Sequence, residues 1–435
     1  MPEWLQFFLP QGGYGEGWIL AVAVMTNVAC GIIGCYLVLR RMSLMGDAIS
    51  HAVLPGLVMA FLLTGSLNIG GMFVGAFIVG LLTTFLTQTL HRHGGVPADA
   101  SMGVVFTSLF AVGVVLLRRY AGNVDLDPDC VLQGQLALIP GYTTDLFGYE
   151  VPRAAISIGT VLILNTVFIV LLWKELKITS FDPGLATTMG LRSGLIHYLL
   201  MAMVAGTTVA AFEAVGSILV IAMLIVPGAT AHLLTDRLSR MLWIAAGVGA
   251  ASAYLGFLTS ARWNPDIEPA GMMAVAAGVL FISAAFFSPR YGVLSTLWRN
   301  VQTTSRILRE DILAMLYRLE ELGVRRPMGG REAAQAVGGG LAAAAALWRL
   351  LRLRLIEHAP GGLRLTDAGR DRATHLVRSH RLWEAYLVEY LGLPLDHVHA
   401  PAERMEHFIG EKLQYKIAQH LPQEQLDPHG REIPR

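Results

Sequence analysis

Long apolar runs, broken at short intervals by polar clusters, fill the first two thirds of the chain. A helix needs about 20 predominantly apolar residues to cross roughly 30 Å of hydrocarbon. Nine stretches are candidates: 18–39, 44–64, 68–90, 99–117, 154–173, 194–213, 215–233, 241–259 and 268–287. Pro55 and Pro227 lie inside two of them, which membrane helices tolerate because neighbours re-satisfy the freed backbone groups. The pattern changes after Ser288-Pro289-Arg290. Charges then arrive every few residues, and Ile312, Leu313, Leu316, Leu319 and Leu322 recur at the spacing of one helix face over 309–322. Two more helices are expected near 331–337 and 340–354. Two short strands follow around Pro360-Gly361-Gly362, and then a long helix from Asp367 to Leu391. Three helices and a hairpin form a winged-helix pattern.

Composition agrees with that division. Of 435 residues, 54% are hydrophobic and 15% charged, against about 25% charged in soluble globular chains, so a membrane protein is indicated. The reading is an all-α polytopic membrane protein of eight or nine transmembrane helices over 1–295, followed by a winged-helix-containing domain over 296–435. The start, Met1-Pro2-Glu3-Trp4, lacks the basic region of a cleaved signal peptide, so the first apolar run is expected to remain as a span. A net charge of +1 carries no sign of nucleic acid. Cys30, Cys35 and Cys130 make no metal pattern, and the first two read as small packing residues.

Basic residues gather in alternate gaps: Arg40-Arg41, His91-Arg92-His93, Lys174 with Lys177, Arg237 with Arg240, and Arg290. The positive-inside rule makes those gaps cytoplasmic, which puts the N-terminus outside and the tail inside for nine spans. Arg118-Arg119 falls on the opposite side and is the one objection, and eight spans is the competing count. The loop 120–153 mixes acids with apolar residues and is expected to be partly re-entrant. Its Asp125, Asp127 and Asp129 read as a solvated acidic loop.

Ionisable residues within a span are costly and are functional candidates by default. Asp47 and His51 stand four apart, so on a helix they share one face about 6 Å apart along the axis. A carboxylate and an imidazole there offer two ligands to Mn²⁺, Fe²⁺ or Zn²⁺, or a hydrogen bond that ties helices together. Glu213, between two spans, is weaker. In the gap 180–191, Asp182 can cap a short helix beginning at Pro183, with Gly190 at its end, either to turn the chain or to dock on a partner. Among the four lysines, Lys174, Lys177, Lys412 and Lys416, none follows a glycine, so the chain has no phosphate loop and is not expected to bind a nucleotide. Transport would draw on a separate ATPase or on a secondary gradient.

The run Leu39-Arg40-Arg41-Met42-Ser43-Leu44-Met45-Gly46-Asp47-Ala48-Ile49-Ser50-His51-Ala52-Val53-Leu54-Pro55-Gly56 resembles the signature of the zinc/manganese/iron permeases of ABC importers. The segment 99–111, Phe181-Asp182-Pro183, 222–229 and Phe287-Ser288-Pro289-Arg290-Tyr291-Gly292 match in order, over about 15–295. The resemblance implies a bacterial plasma-membrane subunit that pairs with a second permease chain and binds a cytoplasmic ATPase. It also implies an extracytoplasmic metal-binding protein as donor, Asp47 and His51 as pathway ligands, and Phe181, Asp182, Pro183 and Gly190 in an ATPase-coupling segment. The loop 124–141 departs from the pattern.

In the tail, His380 and Glu384 stand at i, i+4, followed by His399, Glu403, Glu406 and His407; on a helix the last three share a face, and the alternative is a solvated charged face. Leu365-Thr366-Asp367-Ala368-Gly369-Arg370, Ser379-His380-Arg381-Leu382-Trp383-Glu384, Val398-His399, Glu403-Arg404-Met405-Glu406-His407 and Asp427-Pro428-His429-Gly430 resemble the manganese- and iron-dependent repressors of the diphtheria toxin repressor type. That likeness implies a helical metal-binding and dimerisation domain, with His380, Glu384 and His399 at one site and Asp311, Glu403, Glu406 and His407 at another. Manganese-type members usually carry a further carboxylate where Ala314 stands. Oxygen-rich ligation favours manganese over a softer ion, and the overall expectation is Mn²⁺ or Fe²⁺ ahead of Zn²⁺.

The expected recognition helix reads Leu341-Ala342-Ala343-Ala344-Ala345-Ala346-Leu347-Trp348. Base readout needs Arg, Asn, Gln, Ser or Thr near such a helix's start, and five alanines supply none. Arg349, Arg352 and Arg354 remain for phosphates. The expectation is a metal permease subunit with a metal-sensing tail. The alternatives are a membrane-tethered or cleaved metal-dependent repressor, and a secondary carrier with a structural tail.

Overall fold

A computed structural model describes residues 14–65, 69–120, 136–146, 149–263, 268–323, 328–421 and 426–434. The N-terminal residues 1–13, Asp125, Asp127, Asp129, Cys130 and the side chain of Glu213 lie outside the described residues. The chain divides into two compact units, Met1–Ser295 and Thr296–Arg435.

The first unit is built around α1 (Tyr14–Leu39), which packs chiefly against α6 (Arg153–Leu171), α9 (Ser193–Val215), α10 (Ser217–Leu234) and α11 (Leu238–Trp263). With no hydrophobic drive between helices in lipid, small residues at the seams let backbones approach. A Cβ on Gly34 would lie 1.7 Å from the Leu224 carbonyl oxygen, and one on Gly228 would lie 3.1 Å from the Cys35 nitrogen. Cys30 and Cys35 are free and fully buried in these seams, which matches their reading as packing residues. Polar ties supplement the packing. Asn27 Nδ2 donates to the Gly249 carbonyl (3.2 Å) and Ser252 Oγ (3.3 Å), and Asn165 Nδ2 donates to Thr207 Oγ1 (2.7 Å).

All nine expected spans are helical. Eight are long and apolar enough to cross a membrane: Gly15–Leu39, Leu44–Thr64, Phe73–Gly94, Ala98–Tyr120, Arg153–Leu171, Ser193–Phe212, Leu238–Arg262 and Pro269–Phe287. The apolar part of α10, Leu219–Leu234, is shorter, about 24 Å at 1.5 Å per residue. The second span crosses as the single run expected, but is interrupted at Val53 (φ −66°, ψ −28°) between α2 (Leu44–Ala52) and α3 (Leu54–Thr64). Pro55 has no N–H to offer the His51 carbonyl, so the first helix ends and the second starts with Gly56 and Leu57 bonding back to Val53. Helices α4 (Ile69–Gly94) and α5 (Ala98–Tyr120) pack on this broken pair.

The described part of the long loop is a 3₁₀ turn (Leu136–Gly141) and a hairpin, β1 (Thr143–Leu146) paired antiparallel with β2 (Tyr149–Pro152). Leu136 and Ile139 are buried, and Leu136 N–H donates to Glu268 Oε1 (2.8 Å). Between α6 and α9 stand α7 (Trp173–Phe181) and α8 (Pro183–Thr188); α12 (Pro269–Phe287) completes the unit.

The second unit opens with α13 (Val293–Glu321), much longer than the 309–322 expected, because no Gly or Pro interrupts 293–321. Ile312, Leu313 and Leu316 are buried, whereas Leu322 is 62% exposed, past the helix end. Helices α14 (Gly330–Ala336) and α15 (Gly340–Arg352) follow, then β3 (Ile356–Ala359) pairing antiparallel with β4 (Gly362–Leu365). Their core is Ile312, Leu313, Leu316, Leu347, Leu350, Ile356, Leu363 and Leu365. Helix α16 (Asp367–Leu391) begins at Thr366, whose hydroxyl accepts from Gly369 N–H (3.1 Å), and stops at Gly392 in the left-handed region (φ 61°). Helices α17 (His399–Met405) and α18 (Glu411–His420) pack on α16 over a second core of Leu382, Ile409, Ile417, Leu421 and Ile433.

Candidate metal centres

In the first unit, α2 brings Asp47 and His51 together, with Oδ1 3.2 Å from Nε2 and each side chain about one third exposed (31% and 33%). The i, i+4 spacing sets this pairing, and the break at Val53 ends the helix just beyond it. The His51 ring sits against Phe106 (centroids 5.9 Å) and Phe110 (6.2 Å, edge-on), both on α5. The ring thus lies between two apolar rings and a carboxylate, and the pair remains accessible. Such a pair can supply an oxygen and a nitrogen to a passing divalent ion.

The segment 180–191 forms as its residues predict. Asp182 Oδ1 accepts from Leu185 N–H (2.9 Å) at the start of α8, and Gly190 takes a left-handed φ of 81° beyond its end. Phe181, Leu185 and Met189 are exposed. A contact that sequence reasoning missed lies beside it. Arg40, read as a topology marker and as part of the permease-like run, donates to Thr179 Oγ1 (2.8 Å) and Ser180 Oγ (3.2 Å) on α7, and its Nη1 is 3.4 Å from His197 Nδ1. The end of α1, directly before the Asp47–His51 helix, is thus tied to the segment that carries α8.

In the second unit two groups of ligand-type atoms converge among the described residues: His380, Glu384 and His399; and Asp311, Glu406 and His407, the atoms of each within 4.8 Å of one another. In the first, His380 Nε2 lies 3.0 Å and His399 Nδ1 2.5 Å from Glu384 Oε1. Neither approach has hydrogen-bond geometry, so Glu384 Oε1 is a buried carboxylate oxygen without a donor. An orphaned buried anion flanked by two ring nitrogens fits a missing cation, because leaving such an oxygen unpaired is costly. In the second, His407 Nε2 lies 3.2 Å from Asp311 Oδ1 and 3.8 Å from Glu406 Oε1.

Around these atoms the chain supplies supports. His407 Nδ1 pairs with Glu310 Oε2 (2.8 Å), and Arg306 holds Glu310 Oε1 (2.9 Å) while donating to the His407 carbonyl (3.2 Å). That fixes the ring so Nε2 faces the carboxylates, the usual second layer behind a ligating histidine. His380 Nδ1 meets Glu406 Oε2 at 2.5 Å, so Glu406 touches both groups. Burial alone would push both imidazoles down in pKa, but their paired carboxylates outweigh it and raise each to about 9. Burial would likewise raise Glu310, and His407 and Arg306 outweigh it and hold Glu310 below the ordinary range.

Glu403 is not brought to either group. Helix α17 ends at Met405, and the turn at 406–408 carries Glu406 and His407 off its face, leaving Glu403 exposed. Glu310 was missed because the spacing argument stopped at its neighbour Asp311; Arg306, one turn before it, was the available signal. On α15, Leu341, Ala342, Ala344, Ala345 and Trp348 form an exposed face with no base-reading group, and Arg352 stacks on Trp348 (5.3 Å).

Comparison with known proteins agrees with both halves. Residues 17–288 match the ABC 3 transport family, and residues 366–435 match the iron dependent repressor, metal binding and dimerisation domain. The manganese transport system membrane protein MntD of Bacillus subtilis is 50% identical over 66% of this chain and 96% of its own length. The zinc transport system membrane protein TroD of Treponema pallidum is 43% identical over 63% of this chain and 75% of its own. The solved structure of PsaBC from Streptococcus pneumoniae in complex with Fab superposes with a TM-score of 0.55 at 31% identity, over 65% of this chain and 94% of that one. The chain belongs to the ABC 3 transport family, as a multi-pass permease joined to an iron-dependent-repressor metal-binding and dimerisation domain.

Proposed function

We propose that this chain carries a divalent transition metal, Mn²⁺ or Fe²⁺ ahead of Zn²⁺, across the bacterial plasma membrane and throttles the flow from its own tail. The observation that carries the reading is the Asp47–His51 pair, 3.2 Å apart on a helix interrupted two residues later at Val53. Two ligands hold an ion loosely enough to pass on. A second copy or a related permease chain across the pathway, with water, supplies the remaining positions.

The chain brings no phosphate loop, so a cytoplasmic ATPase subunit supplies the energy, docking on Phe181, Asp182, Pro183 and the rest of α8 up to Gly190. Exposed Phe181, Leu185 and Met189 give that segment the apolar knobs a docking helix needs. Arg40 carries the movement of α7 to the start of α2. An extracytoplasmic binding protein delivers the metal. With the basic gaps inside, the N-terminus lies outside and the tail in the cytoplasm.

The tail reads cytosolic metal at two centres, one from His380, Glu384 and His399 and one from Asp311, Glu406 and His407. The alanine-rich face of α15 favours regulation over DNA readout. Reconstitution with the ATPase, with and without residues 296–435, tests the reading. Mn²⁺ added on the tail side should slow ATP hydrolysis in the full chain and leave the truncated one unaffected. Equal inhibition of both would remove the regulatory role, and failure of any ATPase to associate would remove the ABC mechanism.

A further inference from the structure

We propose that the first turns of α13 lie in the membrane–water interface at the end of α12, with a cluster of arginines beside them seated on anionic phospholipid headgroups. This needs only α12 as the last span, and is independent of which metal the chain carries or senses. Helix α12 has 19 residues, about 28 Å at 1.5 Å per residue, so it ends where hydrocarbon gives way to headgroups. A tight turn starts α13 close by. Gly292 N–H donates to the Ser288 carbonyl (3.1 Å), and Ser288 Oγ donates to the Leu233 carbonyl of α10 (2.5 Å). A Cβ on Gly292 would lie 2.3 Å from that Ser288 oxygen, so glycine alone lets the chain turn this closely.

Val293, Leu294, Leu297, Trp298 and Val301 follow, each 46–66% exposed and none part of a core. On a helix they fall within about 140° of the circumference, and Ser295, Thr296, Arg299, Asn300 and Thr303 take the other side. A stripe of this width with a tryptophan in it, left outside both cores and starting at the end of a span, fits a helix lying in the interface plane.

Charge names the occupant. Between Glu268 and Glu310 the sequence has no acidic residue but carries Arg290, Arg299, Arg306 and Arg309, the complement of an anionic leaflet. The stripe also runs into an open cavity of about 700 Å³ whose lining includes Trp298, Val301, Arg306, Arg309 and, from α15, Arg349. A smaller cavity shares Arg306 and Arg309 and adds Arg372 from α16. Arg306 is engaged by Glu310 and Arg309 gives its Nε–H to the Ser305 carbonyl (2.9 Å), but none of Arg309, Arg349 and Arg372 pairs with a carboxylate among the described residues. An apolar wall beside unpaired guanidiniums matches a phospholipid, whose acyl chains and phosphate are joined in that order. A second copy of the chain fits worse, since a two-fold contact through this face would set arginine against arginine.

The test uses the full-length chain with Cys130→Ser in the background, Cys30 and Cys35 being buried, and one spin label at Val301→Cys or at Thr303→Cys. Each is placed in nanodiscs of phosphatidylcholine with or without phosphatidylglycerol, and collisions with oxygen and with a water-soluble nickel chelate are read. With phosphatidylglycerol, the oxygen-to-nickel ratio at 301 should exceed that at 303 at least about tenfold, as for a side chain at the acyl boundary. The ratio at 301 should fall several-fold in phosphatidylcholine alone, and in phosphatidylglycerol when Arg309→Gln and Arg349→Gln are combined. An equally high ratio in both lipids, or its recovery in phosphatidylcholine on adding inorganic phosphate, would overturn the headgroup assignment. Equal nickel access at 301 and 303 would put the stripe in water, and shielding of 301 from both probes would put it against protein; either result sinks the proposal.

Discussion

Metal binding at the tail is expected to be an exchange of ions for protons, and its pH dependence can be worked from the structure. In the metal-free tail, His380 bridges Glu384 and Glu406, and His407 bridges Glu310 and Asp311. A proton on either ring is held by the carboxylates around it, the groups an ion would need. With both pKa values raised to about 9, each ring is protonated at pH 7. An ion must expel that proton, which at about 1.4 kcal/mol per unit costs about 2.7 kcal/mol over two units. The dissociation constant for Mn²⁺ at each centre should therefore fall about tenfold per pH unit from 7 to 9 and level off above. Calorimetric titration in two buffers of different ionisation enthalpy counts the protons directly, and close to one per ion is expected at pH 7. Mn²⁺ affinity that is flat across pH 7–9, with no proton release, would refute the claim that these imidazoles are the ligands.

The same shifts set the stability of the metal-free tail. Its folded state holds protons on His380 and His407 that the unfolded chain releases near 6.5, so the contribution, up to about 3 kcal/mol each, is full below 6.5 and lost as pH rises through 9. Hydrogen exchange across α16 and α17 in chelator-treated protein should therefore quicken between pH 6.5 and 9, and saturating Mn²⁺ should suppress the change. Gly369→Ala would place a Cβ 1.8 Å from the Leu355 carbonyl oxygen, so the turn before α16 must open at a cost of about 1–3 kcal/mol or more. Exchange protection should drop around β3, β4 and the start of α16 while metal uptake itself persists without regulation. Asp182→Ala removes the cap on α8, worth about 1 kcal/mol. Its measurable outcome is weaker retention of the ATPase on affinity-tagged permease, with Asp182→Asn largely restoring it.

Much of this was legible before any coordinates. Length and apolarity alone placed nine helices, because lipid demands both, and i, i+4 spacing alone joined Asp47 to His51. The capped turn at Asp182-Pro183 and the hairpin at Pro360-Gly361-Gly362 were local problems with local solutions. What escaped was tertiary. The break at Val53 depends on a missing donor at Pro55 whose consequence varies with neighbouring helices. Glu403 and Glu406 look equivalent by spacing until α17 stops between them. Glu310 and Arg40 act through partners more than 25 residues away, at His407 and Ser180, and no periodicity links such positions.

The account stands or falls on whether the carboxylate and imidazole of the broken helix handle the cargo. Uptake of radiolabelled Mn²⁺ by cells expressing Asp47→Ala with His51→Ala, at membrane levels matched to the unaltered chain, measures that directly. Uptake reduced at least about tenfold, with the ATPase still bound, is the predicted result. Import at the unaltered rate would contradict it.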